Sequence, residues 1–242
     1  MLLLRQNMIN NQNRSEFDSI AHKYNQILNK ALELTGESTT YYALNRINFL
    51  QKSLKSENCE NLKILDFGCG DGKSSKLFEK YFKSLKYTGI EISENFVHLN
   101  KKKFTNTNYD FLHVDEYIPD SSFDLAFCNG VFHHIPKEER LSTVKYIFNS
   151  IKPGGFFAFW ENNPYNPGTR YLMKKTPFDK NASMLSPKNT IKMLRNTGFE
   201  IISTRFLFFF PRFLSLFRVF EPYISMLPLG GQYQVLAKKN KI

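Results

Sequence analysis

Residues 66–72 read D-F-G-C-G-D-G, and no other stretch restricts the fold of this chain so strongly. Gly68, Gly70 and Gly72, three of only twelve glycines, alternate between an apolar run, LKILDF, and a stretch of helical spacing from Lys73 to about Phe82. Glycine inside an ordered element costs about 0.5–1 kcal/mol relative to alanine, so such clustering needs a conformational or steric reason. A strand that bends directly into a helix supplies one. At the bend the backbone can approach a ligand closely, with the helix N-terminus facing it. The spacing is G-x-G-x-G, whereas the dinucleotide fingerprint is G-x-G-x-x-G, and Lys73 stands where its third glycine would be. A pyrophosphate cradle is therefore not the best fit, and no phosphate-binding P-loop is present.

The flanking sequence alternates strand and helix in the same way. Phe17, Ile20, Tyr24, Ile27, Leu28, Ala31 and Leu32 recur at helical spacing from Ser15, with Gly36 as a stop. A second helix carries Tyr41, Leu44, Ile47, Leu50 and Leu54, and residues 56–61 form a polar break. KYTGIEI, YDFLHVD, FDLAFCNGV and GFFAFWEN read as strands, with helices from Glu94 and from Lys137 to Ile151 between them. Residues 187–197 look helical, and FEIISTRFLFF and GQYQVLAKK extended. Such alternation implies an α/β, doubly wound, mostly parallel sheet with right-handed crossovers. Residues 1–60 are expected to form an N-terminal helical cap and 61–242 a ligand-binding domain. Insertions at about 163–186 and 211–230 exceed normal connections, and long loops of that kind commonly serve as lids or binding loops.

Composition narrows the partners. The chain is 42% hydrophobic and 23% charged, ordinary globular values. Its net charge of +11 raises nucleic acid, an anionic membrane face or a phosphorylated substrate as partners. The lysines are spread throughout, however, and no basic stripe alternates with aromatics, so no nucleic-acid partner is expected. Cys59, Cys69 and Cys128 show no paired spacing, which fits reduced thiols in a cytoplasmic protein and suggests no metal site. The opening MLLLRQNMINNQN is too short an apolar run for a signal peptide. Arg212, Arg218, Glu221 and three prolines interrupt FLFFFPRFLSLFRVFEPYISMLPLG, which argues against a transmembrane span. The chain could form a homo-oligomer.

Three consecutive strands end on acids: Asp66, Glu91 and Asp115. Carboxyl ends of strands form the binding crevice in open sheets, and an acid after the second strand is where a ribose diol is held. A ligand for that rim should be rich in donors or electron-poor. S-adenosylmethionine, with a sulfonium, an ammonium, a diol and an adenine, fits that description.

DFGCGDG, GIEIS, FLHVD, SFDLAFCNGVFHHI and IKPGGFFAFWE, in this order and spacing, resemble the successive motifs of class I S-adenosylmethionine-dependent methyltransferases over about residues 60–162. The resemblance implies a Rossmann-like seven-stranded sheet with an antiparallel last strand, S-adenosylmethionine as methyl donor and S-adenosylhomocysteine as product. It implies that Gly68, Cys69 and Gly70 pass under the methionine part and that Asp66 anchors its ammonium. Glu91 would hold the ribose hydroxyls, Ile92 would pack on adenine, and Asp115 with Glu116 would lie at the adenine edge. Asn129 and Gly130 would contact the donor near the sulfonium. Each acid has a plainer role open to it, as a strand-end or turn residue, and Cys69 reads as a small loop residue rather than a nucleophile.

For the acceptor side, His133 and His134 follow the fourth strand beside the expected sulfonium, and Glu161 ends the fifth. A general base among them would serve an alcohol acceptor; packing and loop-organising hydrogen bonds are the competing roles. Asn163, Tyr165 and Arg170 in the first insertion are candidate acceptor contacts, Arg being suited to phosphate or carboxylate, so the small-molecule acceptor is expected to be anionic. The N-terminal helices, with Tyr24, Tyr41, Tyr42 and Arg46, would cover the donor, and Tyr24 would either stack near the sulfonium or belong to the core. Phe208, Phe209, Phe210, Phe213, Phe217 and Phe220 suit an acceptor wall, an oligomer surface or a membrane contact.

A second resemblance, through ENNPYNPGTR, PFDKNA and PLGGQYQVLAKK, is to methyltransferases encoded with bacterial surface-polysaccharide genes. It implies O-methylation of a sugar or phosphoryl-type glycan precursor. C-methylation of a quinone or lipid-like acceptor, and a non-catalytic cofactor-binding partner of another methyltransferase, are the alternatives.

Overall fold

The computed structural model describes residues 17–55, 62–82, 86–180 and 182–241. The expected start of the first helix at Ser15, the polar break at 56–61 and Cys59 lie outside these residues. Seven strands form one sheet in the order β3-β2-β1-β4-β5-β7-β6. They are β1 (Lys63–Phe67), β2 (Lys86–Glu91), β3 (Tyr109–His113), β4 (Phe123–Asn129), β5 (Ile151–Asn162), β6 (Phe199–Leu207) and β7 (Gln232–Lys239). β1 pairs in parallel with both β2 and β4, whereas β7 runs antiparallel to β5 and β6. GQYQVLAKK is thus the reversed strand that the resemblance implied.

Side chains alternate between two buried layers, as strand geometry requires. Leu65, Ala126, Phe157 and Val235 point into one, and Ile64, Phe127, Ala158 and Leu236 into the other. Helices cover both faces: α1 (Tyr24–Leu32), α2 (Thr39–Ser53), α3 (Lys73–Tyr81), α4 (Glu94–Lys103), α5 (Arg140–Ser150), α6 (Pro167–Lys175) and α7 (Pro187–Thr197). Ser38 caps α2 by accepting from the Tyr41 amide, and Ile47 and Leu50 of that helix share a buried cluster with Ile64, Phe78 and Trp160. Phe78 and Ile47 are fully buried, and each such side chain contributes roughly 1.5–3 kcal/mol.

Three local expectations shift. The first helix is broken at 21–23 and resumes at Tyr24, and α5 starts at Arg140 rather than Lys137. The insertion at 163–186 contains a helix, α6, with Asn166 as a capping side chain accepting from Thr169 and Pro167 at its first position, where the ring's fixed φ suits helix initiation. The other insertion holds 3-10 turns over Arg212–Phe220 and a single helical turn, Glu221–Ile224. No helix of the described residues is long and apolar enough to cross a membrane.

The chain reverses its winding between β1 and β4, which places the crevice of the sheet over their carboxyl ends. The glycine bend and the Asn129 turn stand on the two sides of it.

Candidate active site

Two cavities meet at that crevice. The smaller, of about 90 Å³, lies against Phe67, Glu91, Ile92, Val114 and Val131; the larger, of about 630 Å³, extends beneath α2, α6 and residues 208–211. Gly68, Gly70, Asn129, Gly130 and His134 line both. The donor half is built from backbone. Gly68 has φ 75°, and a Cβ there would stand 2.3 Å from Val131 Cγ2, so only glycine lets β1 pass the Asn129 turn. Gly70 has φ 52° and faces open space, with nothing within 4 Å of a Cβ position. The amides of Gly68 and Cys69 both donate to the Ile90 carbonyl, fixing the bend to β2.

Glu91 is buried and accepts three amides: Gly70 at 2.7 Å on Oε2, and Ile92 at 2.8 Å and Ser93 at 3.2 Å on Oε1. A carboxylate has about four lone-pair sites, so Oε2 keeps capacity for a hydroxyl. Burial pushes its carboxyl up, against the pull of those amides. Asp66, also buried, accepts the Tyr87 hydroxyl at 2.6 Å, and burial raises it to about 7 despite that bond. Asn129 Oδ1 is buried without a partner beside both cavities. A spare carboxylate lone pair, a desolvated acid, an orphaned amide oxygen and an open glycine together fit a ligand carrying hydroxyls and a cation.

The rest of the expected donor set is placed differently. Asp115 and Glu116 are exposed and line neither cavity. Asp115 instead faces His113 Nδ1 at 3.4 Å, while Glu116 takes the His113 amide and faces Lys101 at 3.9 Å. Tyr24 is not on a cavity wall. Its ring stacks on Phe178, at 5.4 Å between centroids, and meets Phe96 edge-on, which makes it a bridge between α1, α4 and the 176–180 turn. The Gly130 amide is spent on the Trp160 carbonyl at 3.0 Å. The Cys69 thiol is pushed well up by burial and the neighbouring Glu91 and Asp66, an inert state consistent with a loop residue.

The acceptor half is built from side chains of distant segments. His133 Nδ1 meets Glu161 Oε2 at 2.7 Å and its Nε2 meets Asp179 Oδ1 at 3.2 Å. His134 Nε2 reaches the same Asp179 oxygen at 3.2 Å. Burial alone would lower His133, but Glu161 and Asp179 outweigh it and hold the imidazolium to about 10. The same contacts outweigh burial at Asp179 and keep it ionised down to about 2. His134 is lowered by burial and by the charge on His133, so its ring is the neutral one near pH 7. His133 is therefore a held cation with both nitrogens engaged, not a base. Glu161 is bonded to His133 and to the Asn162 amide, and is a positioning group. His133, His134 and Asp179 also bring ligand atoms within 4.8 Å of one another, a set able to hold a divalent cation. As an imidazolium bonded to Glu161 and Asp179 through both ring nitrogens, however, His133 has no lone pair to offer such an ion.

Asn163, Tyr165 and Arg170 do not line the cavity. Asn163 is buried and spends its side chain on the Pro228 and Gly230 carbonyls and the Tyr165 amide; Tyr165 and Arg170 are exposed. Sequence reasoning gave no role to Asp179, which the short 3-10 turn Pro177–Asp179 delivers, anchored by buried Phe178. Like Lys73, Arg46 emerges as a cation of the larger cavity's wall. Its Nε donates to Gln232 at 2.8 Å, its guanidinium lies 6.0 Å over the Phe208 ring, and burial lowers it to about 10. Among the described residues no carboxylate approaches it within 4.0 Å. Phe208 itself holds φ 64°, a left-handed conformation that costs a non-glycine residue roughly 1–3 kcal/mol.

Residues 65–157 match the family model described as a methyltransferase domain. Trans-aconitate 2-methyltransferase of Rhodopseudomonas palustris is 21% identical over 118 residues, 49% of this chain and 45% of that protein. Malonyl-[acyl-carrier protein] O-methyltransferase 1 of Ilyobacter polytropus is 28% identical over 155 residues, 62% of this chain and 57% of that one. The chain thus spans about half the length of these curated relatives. A Haloferax volcanii protein solved with a methyltransferase activator superposes with TM-score 0.64 at 16% identity, covering 93% of this chain and 98% of its own. An S-adenosylmethionine-dependent methyltransferase from Mesorhizobium loti gives 0.58 at 20% identity, over 77% of this chain and 96% of that one.

Proposed function

We propose that this protein transfers a methyl group to an oxygen of a small anionic acceptor held beside Arg46. The reading is supported by the methyltransferase-domain family model matched at residues 65–157 and by a sheet like that of class I S-adenosylmethionine-dependent methyltransferases. S-adenosylmethionine supplies a methyl group already activated by a positive sulfur. Glu91 binds the ribose hydroxyls through Oε2, Ile92 packs on the adenine in the small cavity, and Asp66 faces the ammonium across the Gly68–Gly70 bend. Asn129 offers its unpartnered Oδ1 toward the donor where the cavities join.

The chain's remaining task is to align the acceptor and exclude water, which is worth roughly 7–11 kcal/mol when geometry is good. Arg46 binds the acceptor's anionic group. Asp179 accepts from Nε2 of His134 and orients that neutral ring, the candidate base for a hydroxyl acceptor; a carboxylate or phosphoryl oxygen needs no such base. The Glu161–His133 pair keeps Asp179 in place. Asp115, Glu116, Tyr24, Asn163, Tyr165 and Arg170 receive no contact with either ligand in this reading.

The single observation that supports the acceptor class is the Arg46 guanidinium on the wall of the larger cavity, which no carboxylate among the described residues approaches within 4.0 Å. Two relatives are named for trans-aconitate and a malonyl carrier, both acids, which supports negative charge in the acceptor. Two others are named for ubiquinone biosynthesis and keep a quinone-like acceptor as the second reading. The sugar- or phosphoryl-type glycan precursor remains one member of the anionic class. Incubation with methyl-labelled donor and a panel of carboxylates, nucleotide sugars and neutral quinols tests the reading. Label should enter acidic acceptors, with KM raised at least about 10-fold by Arg46→Met, as expected for losing a charge-assisted pair. Incorporation only into neutral acceptors, or into carbon, would reject it in favour of C-methylation of a quinone-like acceptor.

A further inference from the structure

We infer that residues 211–229, with the flanking α6, form a docking surface for an anionic lipid bilayer, from which the larger cavity draws an amphiphilic, negatively charged acceptor. This rests on the proposed methyl transfer only for the word acceptor; the docking itself does not depend on it. Leu216 is 88% exposed, Tyr223 85% and Phe213 79%, and Val219, Phe220, Met226 and Leu229 are exposed beside them. Contiguous apolar surface of this extent on a soluble chain marks an interaction site.

The patch has a direction. The chain that carries it leaves the cavity wall at Phe208–Pro211, and Tyr171 of α6 is both exposed and part of that wall. Hydrogen bonds from Asn166 to the Leu229 carbonyl, at 2.7 Å, and from Thr169 to that of Gly231, at 2.8 Å, fasten α6 to the patch. An apolar tail lying on the patch could therefore follow continuous greasy surface to Arg46.

Charge identifies the occupant. Residues 163–229 hold ten Lys and Arg but three Asp and Glu: Asp179, Glu200 and Glu221. Asp179 is committed to two histidines and Glu221 to the Phe210 amide. Arg170, Lys174, Lys175 and Arg212 are exposed around the apolar side chains. Aromatic and aliphatic residues rimmed by cations are the arrangement that sits in the headgroup region of an anionic leaflet. A second copy of the chain is a poorer match, because a two-fold contact would bring both cationic rims together.

Flotation of purified protein with vesicles tests this without donor or acceptor present. Equimolar phosphatidylglycerol and phosphatidylcholine vesicles should bind at least about 10-fold more tightly than phosphatidylcholine alone, and added salt should weaken the binding. Leu216→Asp/Tyr223→Asp should lose at least about 10-fold, and Lys174→Glu/Lys175→Glu should lose the lipid preference, with S-adenosylhomocysteine affinity unchanged in both. Absence of any preference for anionic vesicles overturns the inference. So does light scattering that shows a dimer for the parent and a monomer for Leu216→Asp/Tyr223→Asp, which assigns the patch to a subunit contact. Either failure leaves methyl transfer standing, whereas vesicle binding by a protein with no donor affinity would defeat the enzymatic reading alone.

Discussion

The two cavities are made in different ways. The small one is shaped by backbone: three amides converge on Glu91 at the end of β2, and Gly68 and Gly70 occupy left-handed conformations just after β1. The large one is shaped by side chains that share no neighbourhood in sequence, with His133 bonded to Glu161 and Asp179, 28 and 46 residues distant. In the proposed reading, donor recognition is therefore a local property of the β1 and β2 ends, while acceptor chemistry depends on long-range packing. Perturbations of the two halves should separate.

The greatest separation is expected at the buried ion cluster. Glu161→Gln leaves the His133 cation with one carboxylate, and breaking a buried pair costs about 3–5 kcal/mol. Denaturant unfolding should register that loss, while donor affinity in the folded protein stays within about 3-fold. Asp179→Asn should leave donor affinity alike but lower the transfer rate to a hydroxyl acceptor by about 10²–10⁴, the range for general-base help. Equal loss of donor affinity in either variant would join the two halves again.

Gly68→Ala attacks the other half. The added methyl overlaps Val131 and the backbone conformation is disfavoured, at about 1–3 kcal/mol for the conformation alone. Calorimetry should show weaker S-adenosylhomocysteine binding, and Val131→Ala in the same chain should restore part of it by removing the overlap. No recovery would mean that the bend, and not its packing against the Asn129 turn, carries the cost.

This contrast also explains what the sequence revealed. The strands and the glycine bend follow from periodicity and neighbouring residues, since each strand carries its own alternation and the bend its own glycines, whereas the reversal of the last strand was implied only by the family resemblance. Glu91 was legible because β2 ends on it. Asp179 was not: it stands in a one-turn helix inside an insertion, and the packing of Phe178 on Tyr24, Phe17 and His134 brings it to the histidines. Arg170 attracted the role proposed here for Arg46, because the position of a cation relative to a cavity is set by helix docking rather than by its neighbours in sequence. Asn163 lies at the right strand end but is consumed by the 228–230 carbonyls.

Proton linkage gives a smaller, signed difference. His133 is raised from 6.5 to about 10, so its contribution to stability is complete below pH 6.5 and is lost as pH climbs toward 10. Asp179 is lowered from 3.8 to about 2, so its contribution is present above pH 3.8 and is lost toward pH 2. Asp66 has the opposite sign for an acid: raised from 3.8 to about 7, its folded form keeps a proton, and stability falls as pH rises across that window. Unfolding free energy measured from pH 4 to 10 should fall across 6.5–10 in the parent, with a shallower slope in Glu161→Gln. Asp66→Asn should flatten the fall between 4 and 7. The least effect belongs to Asp115→Asn and Glu116→Gln, exposed and off the cavities, where donor affinity should change by under about 3-fold.

Titration calorimetry of S-adenosylhomocysteine into the parent and Glu91→Ala, with near-ultraviolet circular dichroism certifying the folded state of each, reaches the central claim most directly. Loss of the carboxylate that fastens the bend, and that we propose holds the ribose, should weaken binding by at least about 30-fold, near 2 kcal/mol, as charged hydrogen bonds of this kind are worth. A folded Glu91→Ala protein that binds as tightly as the parent would contradict the account.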